Sequence, residues 1–274
     1  MRLSGKTAVV TGAARGLGRA CAVAFARNGA DVLLLDIARD LPGVPYPLGS
    51  ASQLAHTASL CRDHGAAVQT AEADVRDLAA VRDAVGTAYA RFGRIDILLN
   101  NAGITAPAGR LTHEITEDEW TLMLDVDLSG AWRMIKEVGT FMAESKAGSV
   151  INVSSTAGVV GYRHFAGYVA AKHGLVGLTK AAALDFAPLM IRVNALCPGS
   201  VADDPRTEGR MLTEITRALD LPSAGHEAVF TEDLPMPSMV EAGDVADAAV
   251  WLASDESCRV TGSVITVDGG FTAR

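Results

Sequence analysis

The stretch VVTGAARGLGRA, residues 9–20, decides the fold class because it joins an apolar run to a helical pattern through three spaced glycines. Gly12, Gly16 and Gly18 carry no side chains, so the backbone there can turn sharply and approach a pyrophosphate, which the N-terminus of the following helix favours. A glycine trio alone is a weak signal, since such turns also merely connect a strand to a helix. Its place after a first strand predicts a dinucleotide-binding turn.

Outward from this turn, apolar runs alternate with helical patterns along the 274 residues. Most runs are continuous, as expected for parallel strands that are covered on both faces. The predicted strands are KTAVVT (6–11), DVLLLD (31–36), AAVQTAEA (66–73), IDILLN (95–100), SVINVS (149–154), MIRVNALC (190–197) and SVITVD (263–268). This alternation predicts one α/β domain over residues 1–274, a doubly wound (Rossmann) fold with a seven-stranded parallel sheet and helices on both faces.

Composition excludes several classes of protein. The formal net charge of -8 and the lack of a basic cluster argue against binding to nucleic acid or to an anionic membrane. The four cysteines and six histidines are dispersed, which predicts reduced thiols and no metal site. No apolar span of about eighteen residues occurs, so we expect a soluble cytoplasmic protein.

Two segments interrupt the regular alternation. Residues 37–50 contain Pro42, Pro45 and Pro47, a spacing through which no helix can pass, and they form an insertion after the second strand. Residues 199–242 are polar and rich in turn formers, and they are too long for a simple connection. We interpret this second segment as a lid over the substrate.

Asp36 ends the second predicted strand, eighteen positions beyond Gly18. Its carboxylate can accept hydrogen bonds from an adenosine ribose and would repel a 2′-phosphate, so the sequence predicts NAD rather than NADP. The alternative role of a helix cap is less favoured, because the prolines that follow prevent a helix from starting there.

Further residues suggest a catalytic end. Tyr168 and Lys172 are four apart and share one helical face. Ser155 follows the fifth predicted strand at its carboxyl end, where open α/β sheets bind ligands. Each of these features is weak by itself.

Together the motifs resemble the short-chain dehydrogenase/reductase family over essentially the whole chain. The matching motifs are TGAARGLG (11–18), Asp74 in ADV, NNAG (100–103), Ser155, YVAAK (168–172), CPG (197–199) and VTGSVITVDGG (260–270). The resemblance implies that Tyr168 is the catalytic acid/base, that Lys172 binds the nicotinamide ribose and lowers the tyrosine pKa, and that Ser155 orients the substrate oxygen. The chemistry agrees, because a free tyrosine with a pKa of about 10 is a poor base, and a neighbouring ammonium favours the phenolate.

The same resemblance implies the cofactor site and a homotetramer. Asp74 and Val75 are expected at the adenine, and Val201 near the nicotinamide carboxamide. The full expected set is Gly12, Arg15, Gly16, Leu17, Gly18, Asp36, Asp74, Val75, Asn101, Ala102, Gly103, Tyr168, Lys172, Pro198, Gly199 and Val201.

Two positions depart from the family pattern. Asp127 stands where the family usually carries an Asn that helps to hold a water in the proton relay, and we include it among the expected catalytic residues. Asp203 stands where a Thr often contacts the nicotinamide amide. We expect activity to be retained and its pH dependence to differ.

The insertion at 37–50 is similar to one in the mycofactocin-associated, carveol-dehydrogenase-like branch of the family, whose members are thought to hold NAD tightly. It emerges where the adenosine is expected, and Tyr46 and Leu48 offer apolar surface that would cover an adenine face or the adjacent ribose. The alternative is an ordinary surface loop, and both interpretations stay open.

The leading hypothesis is an NAD-dependent oxidoreductase that transfers a hydride between the nicotinamide and a cyclic or hydrophobic secondary alcohol or ketone. One alternative is a 3-oxoacyl-thioester reductase; these usually prefer NADPH, which Asp36 disfavours. Another is a redox-inactive NAD-binding regulatory protein, against which the intact Ser155, Tyr168 and Lys172 argue.

Overall fold

The computed structural model describes residues 1–221, 230–231 and 234–273. The remaining parts of the predicted lid, residues 222–229 and 232–233, lie outside the described residues. Seven parallel strands form one sheet in the order β3-β2-β1-β4-β5-β6-β7. The strands are β1 Thr7–Thr11, β2 Asp31–Asp36, β3 Val68–Glu72, β4 Ile97–Asn100, β5 Gly148–Val153, β6 Ile191–Pro198 and β7 Val264–Val267. The predicted doubly wound fold is therefore confirmed.

Helices cover both faces of the sheet. They are α1 Gly16–Arg27, α2 Ala51–Asp63, α3 Leu78–Phe92, α4 Glu117–Leu124, α5 Gly130–Ser145, α6 Ala166–Phe186, α7 Met211–Ala218 and α8 Ala242–Ala253. Side chains alternate across each strand: Val32 and Leu34 pack with α1, α2 and α8, whereas Leu33 and Leu35 pack on the face of α3, α5 and α6. The apolar runs are continuous because both faces of the strands are buried.

The strand order places a crevice at the carboxyl end of the sheet. β1 lies between β2 and β4 in the sheet. The chain runs from β1 toward one edge of the sheet and from β4 toward the other edge. Ligands bind where the strand order reverses in this way. The segment after β4 is held to the end of β1, because Thr11 Oγ1 accepts hydrogen bonds from the backbone amides of Asn101 and Ala102 at 2.9 and 3.0 Å.

The proline-rich insertion contains no helix, as its sequence predicts. Helix α2 begins only at Ala51, where Ser50 caps it by accepting a hydrogen bond from the Gln53 amide. Within the insertion, the Asp40 carboxylate accepts a hydrogen bond from the Leu48 amide at 2.8 Å, and Tyr46 is buried. The segment therefore packs against the body of the protein instead of extending into solvent.

Within residues 1–221, 230–231 and 234–273, no helix has both the length and the apolarity needed to cross a membrane.

Candidate active site

A cavity of about 340 Å³ lies at the carboxyl ends of the strands. It brings together nearly all the residues that the sequence singled out, from the glycine-rich turn after β1 to Tyr168 and Lys172 on α6. Gly18 is the exception among them. A Cβ at Gly18 would collide with the Gly12 carbonyl, so this glycine allows α1 to pack closely beneath the turn and does not line the cavity.

The glycine-rich turn needs glycine for its backbone conformation. Gly12 and Gly16 have φ angles of +65° and +58°, in the left-handed region that other residues rarely adopt. A Cβ at Gly12 would also lie 2.9 Å from the Asn101 side-chain nitrogen. That amide of Asn101 donates to the carbonyls of Thr11 and Gly12, so Asn101 shapes the turn as well as lining the cavity.

Asp36 closes the nucleotide end of the cavity. Its carboxylate accepts hydrogen bonds from the backbone amides of Ala14 at 2.9 Å and Ala38 at 3.0 Å, which fix its orientation. Burial raises the pKa of Asp36, and these amides and the positive charge of Arg15 oppose the shift. The insertion reaches this point, because a Cβ at Gly49 would lie 2.8 Å from the Asp36 carboxylate.

Asp74 lies beside Asp36 along the same wall of the cavity. Its carboxylate forms an ion pair with Arg76 at 2.7 Å. Burial raises the pKa of Asp74, but the hydrogen bonds and charge of Arg76 outweigh it and leave the pKa below its ordinary value. Val75 follows in the same wall, and a Cβ on Gly130 would strike its side chain.

The catalytic end is formed by β5 and α6. The Ser155 hydroxyl accepts a hydrogen bond from the Ala157 amide at 3.1 Å and lies close enough to Tyr168 to lower the pKa of the tyrosine. Lys172 Nζ lies 5.5 Å from the centre of the Tyr168 ring and donates to the Val153 carbonyl at 3.1 Å. One helical face thus carries the tyrosine and the lysine toward the serine, as the four-residue spacing predicts.

Asp127 lies beneath this group, in a π-helical turn between α4 and α5. It is 1 % exposed, and its Oδ1 lies 3.2 Å from Lys172 Nζ. Its other oxygen accepts a hydrogen bond from the Ile104 amide at 3.1 Å. A Cβ at Gly103 would clash with Oδ1, so the glycine of the NNAG motif allows this close approach.

The charges around Tyr168 oppose one another. Removal of its hydroxyl from water raises the Tyr168 pKa, Lys172 lowers it, and the Asp127 carboxylate raises it further. The expected effect of Lys172 is present, but burial outweighs it. The tyrosine pKa therefore lies above its ordinary value.

Asp203 has a structural partner that its position in the family pattern did not suggest. Its carboxylate accepts hydrogen bonds from the amides of Leu212 and Thr213, both at 3.0 Å, and from the Thr213 hydroxyl at 2.6 Å. It thereby satisfies free amides in the first turn of α7. The carboxylate that replaces the family threonine therefore holds the start of α7.

Three residues that line the cavity were not among the predicted site residues. Tyr46 is 7 % exposed, and its hydroxyl accepts a hydrogen bond from the Thr105 amide at 3.0 Å, after the NNAG motif. Arg210 reaches the cavity from the position before α7, and Glu214 reaches it from within α7. No sequence signal marks their contacts in the cavity, because all three reach it only through the tertiary fold.

Comparison with known proteins agrees with this geometry. A family model described as enoyl-(acyl carrier protein) reductase matches residues 12–272. The (-)-trans-carveol dehydrogenase of Rhodococcus erythropolis is 39 % identical over 100 % of this chain and 99 % of that protein. The chain belongs to the short-chain dehydrogenase/reductase family. The expected likeness to its carveol-dehydrogenase-like branch is confirmed.

Solved structures of short-chain dehydrogenases/reductases share the fold closely. Carveol dehydrogenase from Mycobacterium avium in complex with NAD has a TM-score of 0.91 and 35 % identity, covering 100 % of this chain and 99 % of that one. Levodione reductase has a TM-score of 0.89 and 32 % identity, covering 99 % of each chain.

Proposed function

We propose that Tyr168 is the acid/base of an NAD-dependent oxidoreductase that interconverts a hydrophobic secondary alcohol and its ketone. The observation that carries this proposal is the group Ser155, Tyr168 and Lys172, which lines the same cavity as the glycine-rich turn and Asp36. The reaction class is that of the carveol dehydrogenase relative, and NAD is the cofactor in the similar structure.

When bound, NAD supplies the hydride acceptor, and the protein supplies orientation and proton transfer. The residues present fit such a cofactor, because Gly12 and Gly16 line the cavity without side chains and Asp36 stands at the end of β2 to receive ribose hydroxyls. The carboxylate of Asp36 disfavours a 2′-phosphate, which supports NAD over NADP.

The proton has a defined acceptor in this arrangement. Ser155 and Tyr168 both line the cavity, and a substrate oxygen placed between the two hydroxyls would be oriented by the serine and would pass its proton to the tyrosine. In reduction, the same phenol protonates the developing alkoxide. Lys172 stabilises the phenolate, and Asp127 offsets part of that stabilisation through its ion pair with the lysine.

The preference for a hydrophobic substrate is supported by the cavity wall beyond Tyr168. Apolar side chains line it from α7 and from the loop before α6: Met211, Leu212, Ile215, Leu219 and Phe165. We assign residues 199–242 as the substrate lid, and we assign residues 37–50 as a cover over the cofactor, because the insertion packs along the same cavity.

We further propose a cytoplasmic homotetramer. All four cysteines are free thiols, which suits a reducing compartment. Large apolar side chains are exposed on the outer surfaces of α5 and α6 and just after α6, where subunits would bury them: Trp132, Leu184 and Met190.

The proposed reaction can be tested with a panel of secondary alcohols, cyclic and linear, each assayed with NAD and with NADP by following the absorbance of reduced cofactor. We expect NAD-linked oxidation of hydrophobic alcohols. A 3-oxoacyl thioester with NADPH belongs in the same panel. Turnover of that pair alone would replace the proposed function with the thioester-reductase alternative.

A further inference from the structure

The first turn of the lid is tied to the nucleotide loop. The Gly16 amide donates to the Thr207 carbonyl at 2.7 Å. Arg19 of α1, which is 1 % exposed, forms an ion pair with Glu208 at 2.8 Å. The backbone that leads into α7 is therefore held directly over the phosphate-binding turn.

Arg210 follows this turn and lines the cavity. Its Nε lies 2.9 Å from Glu214, whose side chain is 2 % exposed and which also pairs with Arg217 at 2.7 Å. One buried carboxylate thus holds two guanidinium groups, so this group of three side chains keeps a net positive charge. Arg210 lines the cavity and Arg217 does not.

Arg15 lines the same end of the cavity and donates to the Pro47 carbonyl at 2.7 Å. Burial lowers its pKa, and the positive charge of Arg210 lowers it further. A Cβ on Gly16 would lie 3.8 Å from the Gly209 Cα, so the two cations follow backbone segments that pack together and are close enough to repel each other. The nearby carboxylates have other partners, since Asp36 accepts backbone amides and Glu214 pairs with Arg210 and Arg217.

We propose that Arg210, supplied by the lid, joins Arg15 in binding the pyrophosphate of NAD, and that Glu214 is the positioning residue for Arg210. A diphosphate placed between two guanidinium groups relieves their repulsion and offers oxygens for paired hydrogen bonds. The lid then contacts both the cofactor and the substrate. This inference rests on the proposed binding of NAD.

The test compares three ligands on three proteins. After removal of any bound cofactor with charcoal, checked by absorbance, the unmodified protein, Arg210→Gln and Arg217→Gln are titrated calorimetrically with NAD, ADP and adenosine. Arg217→Gln is the matched control, because it removes the other partner of Glu214 outside the cavity. We expect Arg210→Gln to weaken the binding of NAD and ADP about tenfold or more. The binding of adenosine should weaken less than about twofold. Arg217→Gln should change each affinity less than about twofold.

Each other result has a distinct meaning. Unchanged affinity of Arg210→Gln for NAD and ADP overturns the inference. An equal loss of affinity for all three ligands also overturns the inference. Adenosine has no phosphate, so such a loss of affinity would reflect a change in the structure of the protein. An unmodified protein that binds neither NAD nor ADP contradicts the proposed function itself.

Discussion

The two ends of the cavity differ in the groups that they present to a ligand. At the nucleotide end, the turn at Gly12 and Gly16 offers backbone without side chains, and Arg15 and Arg210 retain partial contact with solvent. At the catalytic end, Lys172 and Asp127 are 4 % and 1 % exposed and lie beside Tyr168. Because charges interact more strongly away from water, changes at the catalytic end should alter proton transfer, whereas changes at the nucleotide end should alter affinity and cofactor choice.

The largest effect is expected for Tyr168→Phe, which keeps the ring and removes the proton-transferring oxygen. Turnover should fall about a hundredfold or more, while NAD still binds, as measured by steady-state kinetics and calorimetry. Tyr162→Phe is the matched control, because Tyr162 also lines the cavity but hydrogen-bonds Thr156. If Tyr168→Phe kept most of its turnover, the separation of roles between the two ends would be wrong.

Substitutions of Asp36 test how the nucleotide end of the cavity selects the cofactor. Asp36→Asn preserves the shape and an oxygen for the Ala14 amide but removes the charge that repels a 2′-phosphate. The preference for NAD over NADP, measured as the ratio of kcat/KM values, should be at least about tenfold in the unmodified protein and should narrow in the variant. Asp36→Ala should reduce the preference for NAD over NADP as well. Equal use of both cofactors by the unmodified protein contradicts this prediction.

The insertion tests whether the nucleotide end is covered. Replacement of residues 40–50 by a short glycine-serine link removes the contacts of Tyr46 with Thr105 and of Pro47 with Arg15. We expect the unmodified protein to retain NAD(H) through gel filtration and the shortened protein to lose it, with a severalfold faster off-rate by stopped flow. Tyr46→Phe removes only the hydroxyl, and its NAD(H) off-rate should lie between those of the unmodified and the shortened proteins. Matching off-rates in the unmodified and shortened proteins would make the insertion an ordinary surface loop.

The smallest effect is expected for Asp127→Asn and is a shift in pH dependence. The Asp127 carboxylate favours the protonated form of Tyr168, so its neutralisation should lower the tyrosine pKa. The base form then appears at lower pH, and the rising limb of the oxidation rate should move toward neutral by about one pH unit. Asp125→Asn, in the same turn but paired with Arg133, should leave the profile unchanged. Superimposable profiles for Asp127→Asn and the unmodified protein would mean that Asp127 merely replaces the shape of asparagine.

The sequence determined the strands, the turn and the candidate site residues. The predicted strand DVLLLD coincides with β2, and the other predicted strands differ from the structure by at most two residues at an end. The prolines at 42, 45 and 47 excluded a helix before Ala51. These predictions succeed because apolar runs, proline φ angles and glycine conformations act within a few neighbouring residues.

Tertiary structure alone decided which distant groups meet. The sequence marked Asp127 as unusual, but only the fold places its carboxylate 3.2 Å from Lys172, where burial outweighs the effect of the lysine on Tyr168. Likewise, Asp203 accepts hydrogen bonds from the first turn of α7, and Tyr46 accepts one from the Thr105 amide. Such contacts join segments far apart in the chain, and they form because buried charges and backbone amides must find partners in the folded protein, which no local pattern specifies.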